Sequence, residues 1–526
     1  MVSPQSLLDA TAYLRTTEGT IVPRLADSGG QANGRFWLPD SDDDTLTGRL
    51  DVSRDWPRLE VVGELTPSLR FIESSANGVT AWGPTPMGNE RDLVVHGKLL
   101  GGYGRVTLID AQTRLRTSDM FGSLASQVVE GRYALLGGLI DSAQYRFDAA
   151  RLRLHQLDQW VGLPGLLVEI SDDHQVHINY EAPESIRVAV PGLNAVLEFE
   201  ASWTVPSPTW SGASVGTDTW LVWRAPEGRT VEQLFSDVVA PFTALLSMIF
   251  GEECPPLELR VHDPETDRWL EVHSPVVKAE APTDTGTPLL SFEDFGSEAL
   301  VTWIEQFADL APLPQLVAGA ATSPGRAVES RLLELAAAAE GLHRRIHRDQ
   351  RRYTAHEVEE GARFLDALAS DADFGSAVTR VLEEGSHPDG QDAATPGIRL
   401  RPEIAGMLSH ALVQYLWEPS FPQRLAMLLG EVSGVLPGVA GRQNRWKAAV
   451  VNARVGFAHS LSSNPAEDDV RKWDVLARSL RWLLTARLFL HAGVHVDSLL
   501  SAFERYESYS NFLRGARKSY PRIYDK

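Results

Sequence analysis

Arg454 and His459 stand five residues apart in VVNARVGFAHS, residues 450–460, and two such side chains can together cleave an RNA phosphodiester. Cleavage needs a group that accepts the ribose 2′-hydroxyl proton or protonates the 5′ leaving oxygen. Histidine is the side chain poised for this near neutral pH. Arginine, always charged and forked, can hold the phosphate and stabilise charge growing on its oxygens. The pair calls for no metal and no other cofactor. Spacing alone carries little weight: with 14 histidines in 526 residues, roughly one Arg-x4-His match arises by chance. Two are present, Arg351 to His356 in RRYTAH and Arg454 to His459 in RVGFAH.

Context separates the two. On a helix, positions i and i+5 lie about 140° apart, so both can flank a groove that the helix lines. Between Glu431 and Glu467 there is no Asp or Glu, while Arg442, Arg445, Lys447 and Arg454 all fall there. A chain of net charge −21 therefore keeps a positive island around the second match. Arg442, Arg445 and Lys447 are candidate contacts to an RNA backbone, and Asn452 could add an amide from a different face. The first match runs directly into HEVEE, a neighbourhood that a polyanion avoids. The competing reading makes Arg454 a solvated helix residue and packs His459 among Val455, Phe457 and Leu461.

Other signatures are missing or weak. The chain has no GxxxxGK[ST], HExxH, GxSxG or paired CxxC, which removes the commonest NTPase, zinc-protease and hydrolase readings. LGGYGRVTL (100–108) is followed by a strand where a dinucleotide site needs a helix, so it reads as a turn. His343 and His347 share one helix face, but with no third ligand they read as surface or packing histidines. WLPDSDDDT (37–45) lacks the central Gly and terminal Glu of a calcium loop and reads as a solvated turn. No metal site is assigned.

The elements that must carry Arg454 and His459 follow from periodicity. From about 36 to 275, segments such as RLEVVGEL, DLVVHGKLL, NAVLEFEASW and DTWLVWRA alternate or are β-rich between Gly, Pro, Asn and Asp. One helix is expected inside this region over 230–250, followed by two more strands, LELRVHD and RWLEVHS. From 291 onward helical spacing takes over, including AVESRLLELAAAAEGLHRRIHRD, HEVEEGARFLDALAS, EIAGMLSHALVQYLW, RWKAAVVNARVGFAHSLSS and VRKWDVLARSLRWLLTARLFLHAG. The expected fold class is α+β multidomain, a β-rich N-terminal domain followed by an all-α bundle. We divide it into a lead segment (1–30), a β-rich domain (31–275), a linker with a connecting helix (276–322) and a helical domain (323–526).

Charge is unevenly divided. Residues after 320 carry 27 Lys+Arg against 25 Asp+Glu, and those before carry 22 against 45. The single cysteine, Cys254, excludes an internal disulfide framework and reads as a small core residue. With neither a signal-peptide pattern nor an apolar run long enough to span a bilayer, the expected compartment is the cytoplasm, with no membrane partner.

ESRLLELAAAAEGLHRR (329–345), a variable helical middle, VVNARVGFAHS and a long closing helix together resemble the HEPN ribonuclease domain of ApeA-type bacterial defence proteins. GRFWLPDSDDDTLTGRLDVSRDWPRLEVVGEL (34–65) resembles the opening of the β-rich domain that precedes HEPN in that family. The resemblance implies an anti-phage, abortive-infection effector. Its helical domain would be a metal-independent endoribonuclease for RNA, tRNA being a candidate substrate, and two protomers would join through HEPN. Its front domain would sense infection through a phage-derived protein and restrain the activity. Only Arg454 and His459 match the family's motif. The family often has a polar residue after the Arg, and here Val455 takes that place. The alternative implied by that departure is a catalytically inactive HEPN scaffold that dimerises and binds RNA or a protein partner.

Overall fold

The computed structural model describes residues 25, 29–66, 69–74, 80–84, 93–117, 125–163, 165–170, 176–204, 216–278, 282, 286–322, 326–348, 363, 418–459 and 467–525. It divides into two compact units. Unit one contains residues 1–325 and 488–507, and unit two contains 326–487 and 508–526.

Unit one is built on a long antiparallel sheet that closes on itself at one end. The ring consists of β1 (Gln31–Trp37), β2 (Leu46–Asp51), β3 (Arg58–Val62), β6 (Leu93–Leu99), β7 (Gly104–Thr117) and β8 (Ser126–Leu136), with β4 (Leu69–Ser74) and β5 (Thr80–Pro84) paired separately. The strand order β8-β3-β2-β1-β6-β7 is closed by direct pairing of β7 with β8, giving a six-stranded barrel. Leu99 pairs with Gly104 across the turn in LGGYGRVTL, where Gly101, Gly102 and Gly104 have positive φ. The expected turn is the observed one.

Alternation explains the barrel interior. In β1, QANGRFW, every second residue is buried, and Phe36 is fully buried. Phe36 joins Leu50, Leu59, Val95, Leu108 and Val129 in one apolar cluster. A ring of six strands leaves little room for such a side chain, and glycines on both neighbouring strands make it: a Cβ at Gly97 would lie 2.6 Å from Phe36 Cδ1, and one at Gly48 would lie 3.1 Å from Cδ2. Gln127, fully buried, has its polar atoms satisfied. Its Oε1 accepts from the Leu65 N–H at 2.7 Å, and its Nε2 donates to Thr66 and Thr113 hydroxyls at 2.7 and 2.8 Å.

From β8 the sheet continues open through β9 (Phe147–Leu154), β12 (Ile186–Val190), β13 (Ala195–Thr204), β14 (Gly216–Arg229), β15 (Pro256–Asp263) and β16 (Arg268–His273), while β10 (Leu166–Ile170) and β11 (Val176–Tyr180) form a separate hairpin. Among the described residues of this region, two α-helical stretches stand out, α1 (Leu157–Val161) and α2 (Val231–Phe250). The expected 230–250 helix is therefore present, opened by a Thr230 capping box and widened to a π turn at Phe235–Val239. By length and composition α2 could cross a membrane, but 67% of its most apolar window is buried inside the protein. It is the core helix of unit one.

Three helices follow, α3 (Phe292–Phe295), α4 (Ser297–Leu310) and α5 (Leu313–Thr322). Trp160 of α1 gathers Phe199, Phe242, Phe292 and Phe295 in edge contacts with centroids 5.3 to 6.5 Å apart. Each such buried aromatic contributes about 1.5–3 kcal/mol relative to an exposed one. Residues 488–507 complete this core: Phe489 packs on Phe295 and Trp303, and the Tyr506 hydroxyl donates to the Phe250 carbonyl at 3.2 Å. Cys254 is fully buried, as expected of a core residue.

Unit two is helical. Its main elements are α6 (Val328–Ile346), α7 (Phe421–Val432), α8 (Gln443–His459) and α9 (Glu467–Ala492), the last of which runs on into residues of unit one. After α10 (Val496–Arg505), α11 (Glu507–Ser519) and α12 (Pro521–Tyr524) end the chain's described part. The expected helices over HEVEEGARFLDALAS and EIAGMLSHALVQYLW, and the Arg351–His356 match, lie outside the described residues.

Candidate active site

The helix bearing the Arg-x4-His motif is anchored at its start. Trp446 of α8 is fully buried, and its indole N–H donates to Ser479 Oγ on α9 at 2.8 Å. Steps of four residues carry this stripe on to Val450, also fully buried, and then to Arg454. Arg454 therefore leaves the packed side of the helix with its side chain 36% exposed.

Two sequence-distant groups meet it there. Arg454 Nη2 lies 2.7 Å from Glu340 Oε2 on α6, and its guanidinium carbon stands 4.5 Å from the centre of the Phe421 ring on α7. A guanidinium stacked on an aromatic face and bonded to a carboxylate is held in direction as well as in place. This setting differs from the competing reading of a freely solvated Arg454: the stripe begun by Trp446 and Val450 turns it toward α6 and α7.

His459 closes α8, and its side chain lies outside the described residues. The helical repeat puts position 459 on the face that carries Asn452 and Val455, both exposed, and about 140° round from Arg454. Phe457 packs edge-on against Trp473 of α9, with centroids 4.8 Å apart. At the other end of the helix Arg442 and Arg445 are exposed and Lys447 is half-buried. The Arg442 backbone N–H donates to the Ile523 carbonyl at 2.8 Å, and Arg445 Nη1 donates to the Arg522 carbonyl at 3.0 Å. Twelve residues of helix put Arg442 about 18 Å along the axis from Arg454. The fold thus brings Glu340 and Phe421 to Arg454 and leaves Arg442 and Arg445 at a separate place.

Glu340 also opens a chain of charges that the sequence did not reveal. Its Oε1 accepts from Arg344 at 3.2 Å, Arg344 reaches Glu418 at 3.1 Å, and Glu418 accepts from Arg424 at 2.6 Å. Arg424, nearly buried, donates from Nη1 to Nδ1 of the fully buried His343 at 3.1 Å. His343 must then carry its proton on Nε2, which lies 3.3 Å from Met427 Sδ. Burial, and after it the neighbouring His347 and Arg424, push His343 down to about 4. Burial likewise lowers Arg424, with Arg344 adding to the effect. His347 stands 2.7 Å from Glu431, which also pairs with Arg487. His343 is therefore a packing histidine, committed to Arg424 and Met427. One local signal hinted at this chain: Glu340 and Arg344 are spaced i, i+4 on α6, where opposite charges pair.

A closed antiparallel barrel continued by an open sheet, then helices carrying an ion-paired arginine on an acid-free stretch, define a two-part protein with a β-rich front and a helical back. The family model of ApeA N-terminal domain 1 matches residues 31–303, more than half of the sequence. The chain belongs to the ApeA family, which places it among bacterial anti-phage defence proteins. Neither a curated protein nor a solved structure matches it.

Proposed function

We propose that the helical part is a HEPN-type endoribonuclease that cuts RNA without a metal, as the effector of an abortive-infection response. His459 serves as the general acid or base, and Arg454 neutralises the scissile phosphate. The observation that carries this reading is the setting of Arg454. It is a partly exposed guanidinium, aimed by Glu340 and Phe421, on a stretch with no acid of its own between residues 431 and 467. A phosphate can compete with the Glu340 carboxylate for the same fork of N–H donors. Because position 459 lies on another face of α8, the reading has two protomers bring their motif helices together, one facing the other. The substrate is RNA, with tRNA as the first candidate. The acidic front domain senses a phage-derived protein and holds the activity back, and the compartment is the cytoplasm.

The test is RNA cleavage in EDTA by the full chain, compared with His459→Ala and Arg454→Ala. Loss of product in both variants is expected, and equal product from all three proteins overturns the reading. One observation favours a second reading, a catalytically silent scaffold that dimerises and binds RNA or protein. Val455, directly after Arg454, is 51% exposed where the resembled family often has a polar side chain. RNA binding without cleavage by any of the three proteins selects the scaffold.

A further inference from the structure

A second group of cations, with no part in the Arg454 setting, collects at the end of the chain. On α11 the residues Tyr509, Phe512 and Ala516 are buried, whereas Arg514, Arg517 and Lys518, spaced i, i+3, i+4, are exposed on the opposite face. Arg522, on α12, is exposed as well. From Ser508 to Tyr524 there is no Asp or Glu, and Asp525 follows as an exposed acid. Folding adds two cations that the sequence places some 80 positions earlier. The carbonyls of Arg522 and Ile523 accept from Arg445 and from the Arg442 N–H, so the start of α8 sits directly on α12. The approach is close, because a side chain at Gly441 would run into the Ile523 carbonyl oxygen. Tyr524 fixes the same junction by donating to the Val439 carbonyl at 2.8 Å. Arg478 of α9 stands 5.8 Å over the Phe512 ring, with Asp474 at 3.8 Å as its carboxylate neighbour.

We propose that this surface, made by Arg442, Arg445, Arg514, Arg517, Lys518 and Arg522, binds the phosphate backbone of a double-helical segment of RNA, outside the place where the RNA is cut. The proposal rests on the reading of the chain as a protein that acts on RNA. Its charge is the first argument. In a chain of net charge −21, a cluster of exposed cations flanked in sequence by Asp525 and, at the head of α11, by Glu507 attracts a polyanion by releasing its counterions. Its texture is the second. Single strands are held by stacking their bases on exposed aromatic rings, but here Trp446, Tyr509, Phe512 and Tyr524 are turned into the core and Tyr520 is half-buried. A duplex, whose bases already stack on each other, needs only phosphate contacts. Position is the third: about 18 Å of α8 separates Arg442 from Arg454, so a stem gripped here can extend to the motif.

The experiment uses the full chain with His459→Ala, so that the probe is not consumed, and a fluorescent 20-base-pair RNA duplex followed by anisotropy over a salt series. Replacing Arg514, Arg517, Lys518 and Arg522 by Glu together should weaken binding by at least about tenfold and flatten the salt dependence by up to about 3.6 units, at about 0.9 for each of the four lost phosphate contacts. The same four positions changed to Gln should lie between, and melting curves matching the parent show that each variant is folded. Unchanged affinity and slope in the folded variants overturn the surface. A single strand of equal length that binds as tightly, and loses as much, overturns the duplex assignment. The outcome is separable from the fate of the catalytic reading: a chain that cuts nothing but binds through these cations keeps this proposal and loses the other, and the reverse result does the opposite.

Discussion

Glu340 on α6 and Arg454 on α8 are 114 positions apart in sequence and 2.7 Å apart in space, and the arginine of the motif is thereby ion-paired within the fold itself. The side chains are 22% and 36% exposed, so solvent screens the pair and it adds less than about 1 kcal/mol to stability. Its weight falls on recognition. Glu340→Gln should leave the melting temperature nearly unchanged and tighten RNA binding several-fold, read by anisotropy in the His459→Ala background. Weaker binding in the folded variant would show that the carboxylate aims Arg454 rather than competes for it.

Val455 offers a gain-of-function test. At 51% exposure it can be replaced with a stability change within about 0.5 kcal/mol. Val455→Asn supplies the polar neighbour that the motif's family often has, and RNA cleavage should rise several-fold over the parent. No rise, with the fold intact, assigns that position no part in the chemistry.

The buried His343 predicts a pH dependence of stability. Its proton affinity is depressed to about 4 in the fold and returns to about 6.5 in the unfolded chain. Between these values the unfolded state binds more protons, so stability rises with pH there. It is complete above about 6.5 and is lost as pH falls toward 4. Full loss is worth up to about 3 kcal/mol. Denaturant titrations at pH 4.5 and pH 7 should show a smaller difference for His343→Gln, whose amide oxygen still accepts from Arg424.

The barrel makes a purely steric prediction. With only 2.6 Å between a Cβ at position 97 and Phe36 Cδ1, Gly97→Ala should destabilise the chain by about 1–3 kcal/mol. Adding Phe36→Leu should recover part of the loss in the same unfolding assay, because the smaller side chain withdraws the clash. Additive losses would place the strain elsewhere.

Much of this fold was legible because its cues are local. The period-two burial of β1 and the apolar spacing of α2 are visible in QANGRFW and in residues 231–250. Closure of the barrel was not, since it needs β3 to meet β8, with Arg58 opposite Glu130, and pairing between strands so far apart in sequence leaves no periodic trace. Helix α7 escaped the spacing argument because it is short, although Ser420 and Gln423 announce it: the Ser420 N–H donates to Gln423 Oε1 at 2.8 Å, as in a capping box. At the candidate site, the Arg454–His459 spacing and its acid-free surroundings could be read directly. Glu340, Phe421 and the Arg424–His343 contact could not, because each depends on which helices pack together.

Unit one takes in residues 488–507, whose first residues are the end of the same helix, α9, that carries Ser479 and Arg487 of unit two. No single cut therefore releases either unit whole. A fragment beginning near residue 320 would retain Phe489 and Tyr506 but lose Phe295, Trp303 and the Phe250 carbonyl that they meet. Bare apolar surface of that kind invites aggregation, and inactivity of such a truncation would report misfolding rather than the absence of an enzyme. Circular permutation does not escape this, because the four segments alternate between the units around a closed chain as well, so the roles of the two units are better separated by point substitutions in the full chain.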